Sequence, residues 1–115
     1  MNMRSMFYEC SNLTDISALA NWNVSSVTTM ESMFSHTNIS DVSSLSSWNL
    51  SSVTNMNYMF STCSNLTNVT ALSSWNTATS TTMWCMFYQC SNLFFFKLIW
   101  VQLQICIICL VIVLI

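Results

Sequence analysis

Cysteines are the residues of this sequence best suited to chemistry, because a thiolate can bind a metal ion or form a disulfide. Cys106 and Cys109 have the spacing of a metal-ligand pair, but no second pair and no nearby histidine accompanies them. A structural zinc site needs four ligands, so the sequence argues against zinc. Cys10, Cys63 and Cys90 occupy one position of the repeat described below, and we expect them to stack as small buried hydrophobic residues. A disulfide between Cys63 and Cys90 is the less favoured alternative.

The remaining titratable residues give no catalytic set. His36 is the one histidine, and we expect it in a surface loop. Glu9, Asp15, Glu31 and Asp41 are interpreted as lying at unrelated positions, which predicts no paired carboxylates for acid–base catalysis. No serine has the histidine and aspartate of a catalytic triad. We therefore predict a protein that is not an enzyme, with no catalytic, cofactor-binding or metal-binding residues.

Composition narrows the class of partner. Charged residues make up 5% of the chain, against roughly 25% in ordinary globular proteins. Arg4 and Lys97 are the only cations, which argues against nucleic acid as a ligand because phosphate binding needs a lysine and arginine footprint. Glycine and proline are absent from the sequence, so asparagine and serine must make the turns, through hydrogen bonds to their own backbone.

A repeat of 26–27 residues organises most of the chain. Tryptophan recurs at Trp22, Trp48 and Trp75, and the dipeptide Met-Phe recurs at the same interval, starting at Met6, Met33, Met59 and Met86. Periods of 20–50 residues are typical of repeat architectures, in which stacked units share one continuous core. We therefore expect about 3.5 tandem units over residues 1–93.

Within one unit the hydrophobic spacing changes. Val53, Met56 and Met59 fit one face of a short helix, and Leu66 and Val69 begin a segment that resembles the strand signature of leucine-rich repeats. The predicted fold is an α/β repeat, a leucine-rich-repeat-like solenoid of helix–strand units, with a C-terminal hydrophobic helix-like tail. The predicted repeat core consists of Met6, Phe7, Leu13, Ile16, Trp22, Met30, Met33, Phe34, Ile39, Val42, Trp48, Met56, Met59, Phe60, Leu66, Val69, Trp75, Met83, Met86 and Phe87.

Residues 3–93 resemble the BspA-like leucine-rich repeat surface proteins, in the variant described as a mycoplasma repeat of unknown function. The segments Val53–Phe60 and Cys63–Leu66 carry the resemblance most fully. The glycine that precedes the family's cysteine is replaced here, by Glu9, His36, Thr62 and Gln89. The resemblance implies an extracellular, often membrane-anchored protein that binds host components or other copies, and it supplies no catalytic residues. We therefore expect a surface protein that serves adhesion or protein–protein binding through a face of the solenoid.

Residues 94–115 break the repeat and form a hydrophobic tail. The tail has the length of a bilayer span, which would place residues 98–115 in contact with a membrane. It could instead cap the repeats. The favoured hypothesis is an out-of-frame reading of one more repeat, because residues 98–115 back-translate in a shifted frame to a Met-x-x-Met-Phe pattern. The sequence shows no signal peptide. A cell-surface or membrane-associated protein is expected, and a truncated or frameshifted fragment without independent function is the alternative.

Overall fold

The computed structural model describes residues 1–67, 69–76 and 81–93. Three 3-10 helices form the regular structure in these ranges, and we label them η1 (Ser17–Asn21), η2 (Ser43–Leu45) and η3 (Thr70–Ser74). The described residues contain neither an α-helix nor a multi-residue strand, so the predicted α/β solenoid of helix–strand units is wrong. The hydrophobic tail, with its membrane-span and shifted-frame hypotheses, lies outside the described residues.

The repeats nevertheless stack on one another in register. We number the units in chain order, as unit 1 (1–27), unit 2 (28–53), unit 3 (54–80) and unit 4 (81–93). Isolated parallel β-bridges join equivalent residues of successive units, pairing Asn2 with Thr29, Thr29 with Asn55 and Asn55 with Thr82. Each bridge therefore links positions one repeat period apart, and the units lie side by side.

The Met-x-x-Met-Phe segments form turns because their N–H groups bond to a neighbouring unit. The N–H groups of Met3, Ser5 and Phe7 donate to carbonyls of unit 2 at 2.8–3.0 Å. The N–H groups of Met6 and Tyr8 donate to carbonyls three residues back in the same unit. An α-helix would instead direct every N–H to the carbonyl four residues back. The predicted helices therefore do not form, although the hydrophobic spacing that suggested them is present.

Two left-handed residues in each unit complete these turns. We call residues 4–9, 31–36, 57–62 and 84–89 the turn segments. Their left-handed residues have φ between 52° and 62° and are Ser5, Glu9, Ser32, His36, Tyr58, Thr62, Cys85 and Gln89. The second left-handed position of each unit is the one where the resembled repeats carry glycine. A side chain there costs about 1–2 kcal/mol relative to a relaxed backbone, so the fold holds these residues in place by its other contacts.

Side-chain turns replace the strand that was predicted after each turn segment. Asp15 Oδ1 accepts a hydrogen bond from the Ser17 N–H at 2.9 Å, immediately before η1. Asp41 Oδ1 accepts one from the Ser43 N–H at 2.8 Å, where η2 begins. Aspartate and asparagine that bond to the backbone two residues later bend the chain and compete with an extended strand. Asn23 makes the same turn, which confirms that asparagine provides turns in this glycine-free chain.

The hydrophobic core is a set of columns that run through the stack. The phenylalanine rings at one repeat position stack nearly parallel, with centroids 5.5 Å apart for Phe7–Phe34 and Phe34–Phe60, and 5.8 Å apart for Phe60–Phe87. The indole Nε1 of Trp48 donates to the Leu19 carbonyl of the preceding unit at 2.9 Å. Each unit thus completes the core and the hydrogen bonding of its neighbour.

Candidate functional site

An open groove of about 440 Å³ crosses the turn segments of all four units. We call it the tyrosine groove, and its lining residues are Tyr8, Glu31, Ser32, Ser35, His36, Tyr58, Ser61, Thr62, Tyr88 and Gln89. Its volume falls within the roughly 300–1,000 Å³ typical of ligand sites. The groove is therefore large enough to hold a ligand.

The groove exists because the side chain at one repeat position is large in units 1 and 4 and small in units 2 and 3. Tyr8, Ser35, Ser61 and Tyr88 are equivalent residues of units 1 to 4. Ser35 and Ser61 are buried and form the floor, with a tyrosine ring at either end of the column. Tyr58 also lines the groove. It occupies the first left-handed position of unit 3, where units 1 and 2 carry serine. The groove thus depends on positions at which the residue differs from one unit to the next.

The turn segments also hold the exposed aromatic residues of the described structure. Tyr8 is 45% exposed, Tyr58 is 44% exposed and Trp84 is 59% exposed. Trp48 and Trp75, by contrast, are buried in the core. Tyr8 and Tyr58 line the tyrosine groove, whereas Trp84 belongs to a turn segment but not to that lining. Large exposed rings in a groove commonly mark a binding surface.

Polar contacts fix the groove and neutralise most of its charge. The Arg4 guanidinium lies 3.5 Å from the Glu31 carboxylate, which also accepts a hydrogen bond from the Asn55 amide at 3.0 Å. The rings of Tyr8 and His36 meet edge to face, with centroids 5.6 Å apart. The negative charge of Glu9 raises the pKa of Tyr8, so this phenol stays protonated at neutral pH.

The serine hydroxyls of the floor make one contact between units and one within a unit. Ser35 Oγ donates to the Ser61 carbonyl at 3.1 Å. Ser61 Oγ and Thr62 Oγ1 lie 3.4 Å apart, within hydrogen-bonding distance. The floor is therefore polar, while the tyrosines that flank it offer rings with a polar tip.

A second, smaller hollow of about 100 Å³ lies between the loops of units 1 and 2, beside Asp15 and Asp41. The prediction that these carboxylates occupy unrelated positions is wrong, because they are 26 residues apart, which is one repeat period. Their oxygens accept the N–H groups of Ser17 and Ser43, and the Ser17 bonds hold the pKa of Asp15 below its usual value. We assign both aspartates a structural role at the start of η1 and η2.

Two cysteine side chains donate between units. Cys63 Sγ donates to the Phe34 carbonyl at 3.1 Å, and Cys90 Sγ donates to the Phe60 carbonyl at 3.0 Å. Burial raises the pKa of both thiols, and both are free thiols in the structure. Cys10 is exposed, contrary to the expectation of a buried column, because in the described structure unit 1 is covered on one side only.

No three potential metal ligands gather anywhere in the described ranges. Cys106 and Cys109 lie outside them.

The predicted repeat-core residues divide between the interior and unit 1. Met6 is 50% exposed, which corrects its assignment to the core, and Phe7, Leu13 and Trp22 are partly buried, since unit 1 has a described neighbour on one side only. The buried ones are Ile16, Met30, Met33, Phe34, Ile39, Val42, Trp48, Met56, Met59, Phe60, Leu66, Val69, Trp75, Met83, Met86 and Phe87. Val24 and Leu50 are buried core residues that the sequence analysis missed, although their 26-residue spacing marks them.

Comparisons with known proteins place the chain in a family. Within the ranges that the structure describes, no helix has the length and apolar character needed to cross a bilayer. No curated protein and no solved structure matches the chain. Residues 1–97 match the family model described as "Mycoplasma protein of unknown function, DUF285". The chain therefore belongs to the DUF285 family.

Proposed function

We propose that this protein is a non-enzymatic surface repeat protein that attaches to a ligand through the tyrosine groove. The observation that carries the proposal is the presence of two exposed tyrosine rings, Tyr8 and Tyr58, in the lining of the groove, while most other described aromatic residues contribute to the core. The resemblance to BspA-like surface proteins supports adhesion and a location at the cell surface.

The chemistry of the groove suits binding. Tyrosine offers a large contact area with few rotatable bonds, so little conformational entropy is lost when it is immobilised. Serine and threonine hydroxyls adapt to either donors or acceptors on a ligand. Tyr8, Ser32, Thr62 and Tyr88 combine these two kinds of group on one face, and none of the four is buried. The turn segments also hold their shape through hydrogen bonds to the next unit, so the groove is formed before a ligand arrives.

A cell-binding assay tests the proposal. Fluorescently labelled protein is added to intact host cells, and bound protein is measured by flow cytometry. We expect saturable binding that falls at least tenfold in the double variant Tyr8→Ser/Tyr58→Ser. Both substitutions introduce the residue that other units carry at the same position, Ser35 and Ser61 for Tyr8, and Ser5 and Ser32 for Tyr58. The fold should therefore tolerate them.

The matched control is Ser73→Ala, at an exposed position of η3 outside the groove lining. It should bind as the unaltered protein does. Protease treatment of whole producing cells should also remove the protein, because the proposed surface location exposes it to the enzyme. Absence of cell binding, or equal binding by the double variant, would overturn the proposal.

A further inference from the structure

We infer that the ligand of the tyrosine groove is an uncharged oligosaccharide. This inference rests on the proposed function and names the ligand class for the same site. The competing ligand, a peptide segment of a protein, requires features that the groove lacks.

The groove offers no free backbone edge along its middle units. The N–H groups of Ser32 and His36 donate to carbonyls of unit 3 at 2.9 Å, and the Tyr58 N–H donates to a carbonyl of unit 4 at 2.9 Å. Peptides that bind by adding a strand need unpaired N–H and C=O groups. The bonds between units already use these groups, so a peptide cannot extend the stack sideways at the groove.

The floor also lacks an apolar pocket. Ser35 and Ser61, both buried, occupy the space between Tyr8 and Tyr88. Tight peptide binding depends on an apolar anchor that enters a desolvated pocket. A polar floor of this kind leaves such an anchor without a matching surface.

A sugar chain matches the groups that the groove presents. A pyranose ring has an apolar face of C–H groups, which packs against an aromatic ring, and a rim of hydroxyls that donate and accept hydrogen bonds. The tyrosines supply rings, and the Thr62 hydroxyl and the Gln89 amide supply both donors and acceptors. The site therefore satisfies the apolar face and the polar rim of a sugar together.

Charge in and beside the groove argues for an uncharged sugar. Arg4 neutralises Glu31, the one carboxylate of the lining. Glu9 lies beside Tyr8, and its charge would repel a sulfated or carboxylated sugar. An anionic glycan would find neither lysine nor arginine among the lining residues.

The length of the groove favours an oligosaccharide over a single sugar. Tyr8 and Tyr88 are three unit steps apart. At about 4.8 Å for each step between paired backbones, the two ends are separated by about 14 Å. Several sugar rings are needed to contact both ends at once.

Two measurements on the full chain test the inference. The first is isothermal titration calorimetry with chitohexaose, cellohexaose, laminarihexaose and mannohexaose, and with heparin as the anionic comparison. We expect at least one neutral hexasaccharide to bind, heparin to give no heat of binding, and the double variant Tyr8→Ser/Tyr88→Ser to bind at least tenfold more weakly. Binding of none of the neutral probes, preference for heparin, or unchanged affinity in the variant would overturn the inference.

The second measurement separates this inference from the proposed function. Periodate oxidises the vicinal diols of cell-surface sugars, and chitinase and laminarinase remove chains whose internal residues lack such diols. We expect the combined treatment, which leaves most protein surface intact, to abolish binding to host cells. Undiminished binding to cells treated in this way would overturn the saccharide inference and leave the proposed adhesion standing. Failure to bind untreated cells would count against the proposed function, whatever the calorimetry shows. The melting temperature of each variant, compared with that of the Ser73→Ala control, verifies that the variants are folded.

Discussion

The phenylalanine column gives a direct test of the stacked arrangement, through the substitution Phe60→Ala. Phe60 is fully buried and lies between two parallel rings, Phe34 at 5.5 Å and Phe87 at 5.8 Å. Removal of a buried phenylalanine side chain costs about 3–5 kcal/mol, because it loses the transfer free energy of the ring and leaves a cavity. Two stacked pairs, each contributing about 0.5–1.5 kcal/mol, place Phe60 towards the upper part of that range.

Phe7→Ala is the matched comparison. Phe7 belongs to the same column but is only partly buried, and among the described residues Phe34 is its one parallel partner. We expect a loss of about 2 kcal/mol there, since roughly half of the ring's environment is absent and solvent can enter the space.

Urea denaturation followed by tryptophan fluorescence measures both losses. Trp48 and Trp75 are buried and hydrogen-bonded to the preceding unit, so their emission reports the integrity of the stack. With a total stability of about 5–15 kcal/mol, a loss of about 4 kcal/mol shifts the midpoint strongly or unfolds the chain. Equal losses for the two variants, or a loss below about 1.5 kcal/mol for Phe60→Ala, would refute the continuous column.

Three further predictions concern the turns and the buried thiols. Thr62→Gly should raise the unfolding free energy by about 0.5–1 kcal/mol, because glycine removes the strain of a β-branched residue in the left-handed region, and this gain exceeds the entropy that glycine adds to the unfolded chain. Thr54→Gly, at a position without a positive φ, should lower the unfolding free energy. The urea midpoint measures both changes, and a destabilised Thr62→Gly variant would contradict the turn geometry. Asp41→Ala should lower the unfolding free energy by about 1 kcal/mol, whereas Asp41→Asn should change it little, because the asparagine oxygen can still accept the hydrogen bond from the Ser43 N–H. Equal losses of stability for the two variants in thermal unfolding would exclude this role of Asp41. The raised pKa values of Cys63 and Cys90 mean that above about pH 8.5 the unfolded chain releases protons that the folded chain keeps, so the unfolding free energy should fall as the pH rises. The fall should be smaller in a Cys63→Ala/Cys90→Ala variant, and an unchanged pH profile in that variant would argue against this linkage.

The repeat period predicted the stacking partners but not the local structure. Phe34 and Phe60 are 26 residues apart in the sequence and lie face to face in the structure. The Met-x-x-Met-Phe spacing suggested a helix, since side chains three and four residues apart share a face in a helix and also in these turns. The difference lies in the N–H of Ser32, which bonds to Asn57 in the next unit. Such a distant hydrogen bond leaves no trace in local hydrophobic spacing.

The candidate site was hidden for a related reason. Sequence reasoning followed the positions that repeat, and the groove depends on those that vary, with tyrosine at Tyr8 and Tyr88 and serine at Ser35 and Ser61. The left-handed turns could not be predicted from the sequence either, because a position such as Thr62 carries no glycine, the residue that usually indicates a positive φ. The signal in the sequence that marks this face is a large residue in one unit at a position where other units carry a small one.

The direction of the hydrogen bonds in the turn segments has an electrostatic consequence. In unit 1 the N–H groups of Met3, Ser5, Phe7 and Glu9 all donate towards unit 2, and the equivalent groups of units 2 and 3 donate towards the unit that follows. The peptide dipoles of these bonds are aligned and add together, as they do along a helix axis. Among the described units, the partial negative end of this alignment lies on the unit 1 side. Arg4, the one cationic side chain of the described residues, stands at that end, so its charge is favoured there by the backbone as well as by Glu31.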